Sequence, residues 1–159
     1  MTMPNSPLIL KAKSVEEQIY SKIRTKLKST KIKPTLATVL VGEDPGSQVY
    51  VRKKGEMCVS LMMGHRDFKL PADTSQQDLL KIIDELNADQ SVHGILIQRP
   101  LPKGLNETEV FDRVSAKKDV DCFSPENVGL LSQGRPRFLP CTPAGIIEML
   151  RHYKIDVAG

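Results

Sequence analysis

Tyr50 and Lys54 stand four residues apart in the stretch Gln48 to Met63, where Val51, Cys58, Leu61 and Met62 recur as apolar positions of a helix. On a helix their side chains leave from one face, about 6 Å apart at Cβ. An amine beside a phenol at the mouth of a pocket can polarise a ligand or carry a proton. Desolvation, or the neighbouring Arg52 and Lys53, would lower the pKa of such an amine toward neutrality. The plainer account is a Tyr and a Lys on an exposed helix face, the commoner fate of such a pair. Gln98 closes the apolar run GILIQ, where a polar side chain needs a partner: it either anchors a packed loop or orients a ligand. Asp119 and Asp121 flank Val120, so in an extended segment they share a face. They could form a paired-carboxylate metal site, though no third ligand accompanies them, or one of them could cap a turn. A lone carboxylate in a pocket also matches a ring that offers two adjacent N–H donors. The loop Gly42 to Ser47 precedes a helix and could hold an anion at its N-terminus, but it fits neither Gly-rich nucleotide motif.

The elements that must place these residues follow from apolar periodicity. Ser14 with Glu17 reads as a capping box before Ile19, Ile23 and Leu27, which predicts a helix over about 14–29. Pro34 stops it, and Leu36 to Val41 is a short aliphatic run suited to a strand covered on both faces. Gly64 is the expected stop of the helix carrying Tyr50 and Lys54. Phe68 and Leu70 belong to a second strand ended by Pro71, and Thr74 with Gln77, or Ser75 with Asp78, caps a helix carrying Leu79, Ile83 and Leu86. Gly94 to Gln98 is then a buried strand. The later segment is more irregular, turn-rich over 132–143, with a last helix from about Thr142 to Tyr153. Alternating strands and helices predict an α/β fold, a three-layer domain with a mostly parallel sheet flanked by helices. In such sheets ligands bind at the carboxyl ends of the strands, where the loops after residues 41, 97 and 118 fall.

Composition narrows the class. With 40% apolar and 26% charged residues the chain is an ordinary globular sequence, and with no Trp its core must be aliphatic. No apolar run is long enough to span a membrane, and no charged leader or cleavage pattern precedes Leu8 to Leu10, so a cytoplasmic protein is expected. The net charge of +4 is not gathered into a tract with interleaved aromatics; the Lys and Arg of residues 11–33 read as a solvated helix face, and nucleic acid is not the expected partner. Cys58, Cys122 and Cys141 are too scattered for a disulfide framework or a zinc site and are expected to be small buried apolar residues. His65, His93 and His152 are equally scattered, and no metal is expected.

Four stretches in succession carry more than any one of them. VLVGEDPGSQVYVRKK (39–54), GILIQRPLP (94–102), KDVDCFSPENVGLL (118–131) and PCTPAG (140–145) together resemble the N-terminal domain of the methylenetetrahydrofolate dehydrogenase/cyclohydrolase family, and the likeness runs from about Ile9 to the end. The resemblance implies one-carbon folate chemistry: oxidation of 5,10-methylenetetrahydrofolate by NADP, then hydrolysis of the methenyl product to 10-formyltetrahydrofolate. It implies that Lys54 is the catalytic lysine of the hydrolytic step, that Tyr50 packs against the folate, that Gln98 orients the lysine, and that Asp121 binds the amino and ring N–H groups of the pterin. The flanking motif residues Val51, Arg52, Lys53, Ile97 and Arg99 are expected at the substrate. The sequence departs from the family at Arg99, often Leu, at Cys122, usually Gly, and at Met57, commonly small. Arg99 could meet the anionic glutamate tail of a folate or add a positive charge near Lys54, and Cys122 restricts a backbone that Gly would leave free.

The resemblance also implies a Rossmann-type NADP domain after this region, and none of its Gly-rich fingerprint occurs in residues 1–159. The chain is therefore expected to be a substrate domain of a two-domain enzyme, without a cofactor site of its own and without dehydrogenase activity alone, since hydride transfer needs both partners in contact. Homodimers are implied for the family, largely through the second domain. The alternative is a stand-alone folate- or pterin-binding module without catalysis.

Overall fold

A computed structural model describes residues 8–157; part of the N-terminal stretch read above for a leader, and Gly159, lie outside them. The elements run α1 (Lys13–Lys28), β1 (Thr35–Val41), α2 (Pro45–Ser60), β2 (Gly64–Leu70), α3 (Gln76–Ala88), β3 (Gly94–Ile97), α4 (Glu107–Arg113), α5 (Pro125–Ser132) and α6 (Cys141–His152). The three strands form one parallel sheet in the order β2-β1-β3, and Ile95 bridges in parallel to Asp119 at its edge. The expected α/β layering is present. Among the described residues no helix is long and apolar enough to cross a membrane.

Alternation along β1 sends residues to two packed faces. Ala37, Val39 and Val41 meet Ile95 and Ile97 of β3 and Leu79, Ile83 and Leu86 of α3 in the main core. Thr38 and Leu40 face the other way, and both are also fully buried. The β1 run therefore reads as continuously apolar because both faces are covered. From β1 the chain crosses to β2 by α2, then returns past β1 to β3 by α3. The direction of winding reverses between β1 and β3, which opens a crevice at their carboxyl ends.

Three local expectations are corrected. The start of α1 is capped by no side chain, and Ser14 lies inside the helix with its Oγ 3.1 Å from His152 Nε2 on α6. A tertiary partner has taken the hydroxyl that a capping box would use. Gly64 does not stop α2 but opens β2; the left-handed residue that closes the helix is Met62 (φ 61°), and Met63 N–H donates to Cys58 O at 2.8 Å. The stretch after Gly104 contains α4 and α5, which apolar periodicity did not disclose.

Cys122 has φ 62° and is buried. A side chain there is strained where Gly would not be, and a β-branched one more so. Cys122→Val is expected to destabilise the chain by about 1–3 kcal/mol in urea unfolding. Stability equal to the parent would mean that this turn relaxes to negative φ without loss.

Candidate functional site

A cavity of about 660 Å³ lies beside Leu96 of β3, and its walls include Tyr50, Lys54, Gln98, Asp121, Phe123 and Cys141. These side chains come from four separate parts of the chain. α2 begins at Pro45 because the Asp44 carboxylate accepts Ser47 N–H at 2.7 Å, which holds that carboxyl below its usual range. The helix start that could have held an anion is thus closed by the protein's own carboxylate. Val51 and Cys58 bury the inner face of α2, and Gly55 lets the helix approach β2 closely: a Cβ there would lie 2.8 Å from the His65 ring. Tyr50 and Lys54 flank this buried stripe and open toward the cavity; Tyr50 stays 63% exposed and Lys54 is half-buried.

Gln98 extends β3 by donating its N–H to Val39 O at 2.8 Å. Its side chain anchors the loop after β3 and also meets Lys54. Oε1 accepts from Lys54 Nζ at 3.0 Å, while Nε2 donates to Arg99 O at 2.7 Å, which fixes the amide's orientation. The same carbonyl accepts from the buried Ser47 hydroxyl at 3.2 Å, so the loop after β3 is tied to the first turn of α2. The Arg99–Pro100 peptide in that loop is cis.

The two aspartates do not share a face, because 118–121 is a turn rather than an extended segment. Asp119 points into the protein. Its burial alone would raise the carboxyl, but hydrogen bonds from Ser124 N–H, the Asn127 amide and Phe123 N–H outweigh this and hold it below the usual carboxylate range. Asp121 points into the cavity, where burial pushes its carboxyl up against the opposing pull of Lys54 and the Cys141 thiol. Gly94 makes this approach possible, since a Cβ there would sit 2.7 Å from Val120 Cγ1. The result is an amine, an amide, a carboxylate and a phenol around one space large enough for a fused heterocycle. A second, apolar cavity of about 380 Å³ shares Lys54, Leu96 and Cys141 with the first. Among the described residues no group of three or more His, Cys, Asp or Glu is placed to hold a metal.

The profile of the tetrahydrofolate dehydrogenase/cyclohydrolase catalytic domain matches residues 10–121. The chain belongs to that family. It is 47% identical over 154 residues to bifunctional protein FolD 2 of Geobacter metallireducens, covering 95% of this chain and 54% of that protein. Among solved structures, the bifunctional FolD methylenetetrahydrofolate dehydrogenase/cyclohydrolase of Campylobacter jejuni superposes with a TM-score of 0.90 at 39% identity, over 96% of this chain and 55% of that one. The Trypanosoma brucei FolD, solved with NADP and an inhibitor, superposes with a TM-score of 0.87 at 28% identity, over 99% of this chain and 55% of that one. The chain spans about half the length of the relatives it matches.

Membership of the dehydrogenase/cyclohydrolase family makes the distribution of the motif residues informative. Tyr50, Lys54, Gln98 and Asp121 meet at the cavity. Val51 and Ile97 do not: they are core residues, 1% and 4% exposed, on the inner faces of α2 and β3. Arg52 points away and pairs with Glu56 at 2.9 Å, beside a separate cavity between α2 and β2, and Lys53 is exposed. Two polar groups of that other cavity are engaged by the fold, since Thr38 Oγ1 donates to Asp67 Oδ1 at 2.9 Å and lies 3.0 Å from His65 Nε2. Arg99 lies at the rim with its guanidinium paired to Glu107. Cys58 and Cys122 are buried as expected, but Cys141 is exposed and lines the site at the start of α6. Cys141, Phe123 and Ser47 were missed as site residues, although all three lie within the family-like stretches.

Proposed function

We propose that this chain is the substrate domain of a bifunctional methylenetetrahydrofolate dehydrogenase/cyclohydrolase, and that its cavity binds the reduced pterin of one-carbon tetrahydrofolates. The observation that carries the reading is the Lys54 amine held by Gln98 in the same cavity as Asp121. The Asp121 carboxylate accepts the amino and ring N–H pair of the pterin, and Tyr50 leans on the ring system. In hydrolysis, water adds to the methenyl carbon and releases one proton; the carbinolamine then collapses, its O–H proton passing to N5 as the C–N5 bond breaks and the formyl group forms on N10. Lys54 stands at that bridge and carries protons between water, N5 and solvent, while Gln98 keeps the amine aimed. NADP would supply the hydride acceptor for the preceding oxidation. The helix starts that follow the strands do not fit a pyrophosphate: they are closed by Asp44, Ser75 and Asn106, and acidic residues occupy the first turns of α3 and α4. No step within this chain is assigned to NADP.

Asp121→Asn tests the pterin contact. Titration calorimetry with 5,10-methenyltetrahydrofolate should show affinity falling by about tenfold or more, because an amide cannot accept from both donors. Unchanged affinity would end the assignment. Stability should move the other way. Burial raises the Asp121 carboxyl, so its ionisation costs stability increasingly as pH rises through the folded pKa. The Asn variant should therefore melt with the parent in acid and at or above it near neutral pH.

A further inference from the structure

Arg99 is not free to meet a ligand. Its Nη2 donates to Glu107 Oε2 at 2.8 Å, and its Cζ lies 5.8 Å from the centre of the Phe111 ring and 5.7 Å from that of Phe123. The two rings are tilted against each other with centroids 4.8 Å apart. Phe111 packs on the main core, whereas Phe123 is a wall of the cavity and is 41% exposed. Glu107 is itself anchored, as the first residue of α4 with Asn106 as its cap, and its Oε1 accepts from Leu101 N–H at 3.4 Å. A guanidinium covers an aromatic face well, and a carboxylate at its fork fixes its plane.

We infer that Arg99 and Glu107 are positioning residues that hold Phe123 as one wall of the substrate cavity, and so set the grip on the planar part of the ligand. The inference rests on the folate reading of that cavity. It assigns Arg99 neither to the anionic tail of the ligand nor to the chemistry at Lys54. Reaching a ligand carboxylate would require Arg99 to leave both its own carboxylate and two ring faces. Meanwhile its backbone carbonyl, shared by Ser47 and Gln98, serves the machinery whatever its side chain does.

The test uses the intact enzyme that contains this chain, with methenyltetrahydrofolate in mono- and triglutamate forms. Arg99→Ala and Glu107→Ala should each raise KM by about threefold to tenfold with kcat within about twofold, equally for both forms. The double variant should be no worse than the worse single one, because both act through the same ring. Phe123→Leu should reproduce the rise and abolish any further effect of Arg99→Ala, which gives a second route should a charge variant fold poorly. Three results would overturn the inference: no KM change in either variant, a rise in Arg99→Ala confined to the triglutamate, or tighter triglutamate binding in Glu107→Ala. The last two would make Arg99 a tail-binding residue restrained by Glu107. Failure of the folate reading looks different, since the parent enzyme would then neither bind nor hydrolyse the methenyl compound.

Discussion

Lys54→Met should slow hydrolysis of the methenyl bridge by about two to four orders of magnitude, the range supplied by a positioned proton-transfer group, while the methenyl compound still binds. Methionine keeps the apolar stem along the wall of the cavity and removes only the amine. The proposed pterin contact at Asp121 and the proposed packing of Tyr50 are left in place, so the loss should fall on kcat rather than KM. Gln98, deprived of the donor at 3.0 Å, retains its side-chain bond to Arg99 O and its backbone bond to Val39 O, so the fold should not change. The measurement is decay of the methenyl absorbance in the intact enzyme, corrected for spontaneous hydrolysis. A variant that keeps a substantial fraction of parental kcat would remove Lys54 from the mechanism and leave the cavity a binding site alone. Gln98→Ala should give a smaller loss than Lys54→Met, because the amine survives but is no longer aimed.

What could be read from the residues divides along physical lines. The runs LATVLV and GILIQ disclosed their strands because both faces are buried, and a continuous aliphatic run leaves few alternatives. The i, i+4 spacing of Tyr50 and Lys54 placed them on one helix face, which the cavity confirms as a shared wall. Contiguity in a motif was a poorer guide. Val51 and Ile97 fall inside family-like stretches, but a helix or strand that presents one face to a ligand must bury the next residue in the core. The helices α4 and α5 stayed hidden because they are only 7 and 8 residues long, each with one buried residue, too short for a period to register. Their caps are the signal that could have disclosed them: Asn106 accepts Glu109 N–H, and Ser124 precedes Pro125 at a helix start. Roles set by distant partners could not be read at all. The pairing of Arg99 with Glu107 and of Ser14 with His152 depends on which surfaces the fold brings together.

The largest loss of stability is expected at Asp119, two residues from the cavity-facing carboxylate and 4% exposed. Its Oδ2 accepts from Ser124 N–H at 2.8 Å and the Asn127 amide at 2.9 Å, and its Oδ1 from Phe123 N–H at 3.2 Å. Asn127 is fully buried and links onward, its Oδ1 accepting from Arg137 at 2.9 Å. Asp119→Ala therefore strands buried donors and opens a void, and should cost about 3–5 kcal/mol in urea unfolding, a large part of the 5–15 kcal/mol typical of a native domain. Because the folded carboxyl lies below its ordinary value of 3.8, this stabilisation is present above that pH and is lost as the pH falls through the folded value, so parent and variant should converge in acid. A loss under about 1 kcal/mol would mean that water replaces the carboxylate and that 119–124 is not held by it. The same segment carries Asp121 and Phe123, so ligand affinity should fall in Asp119→Ala as well, but only together with stability. Asp121→Asn should lose affinity with stability intact near neutral pH. Two carboxylates separated by one valine thus separate the scaffold from the site, and each variant serves as the control for the other.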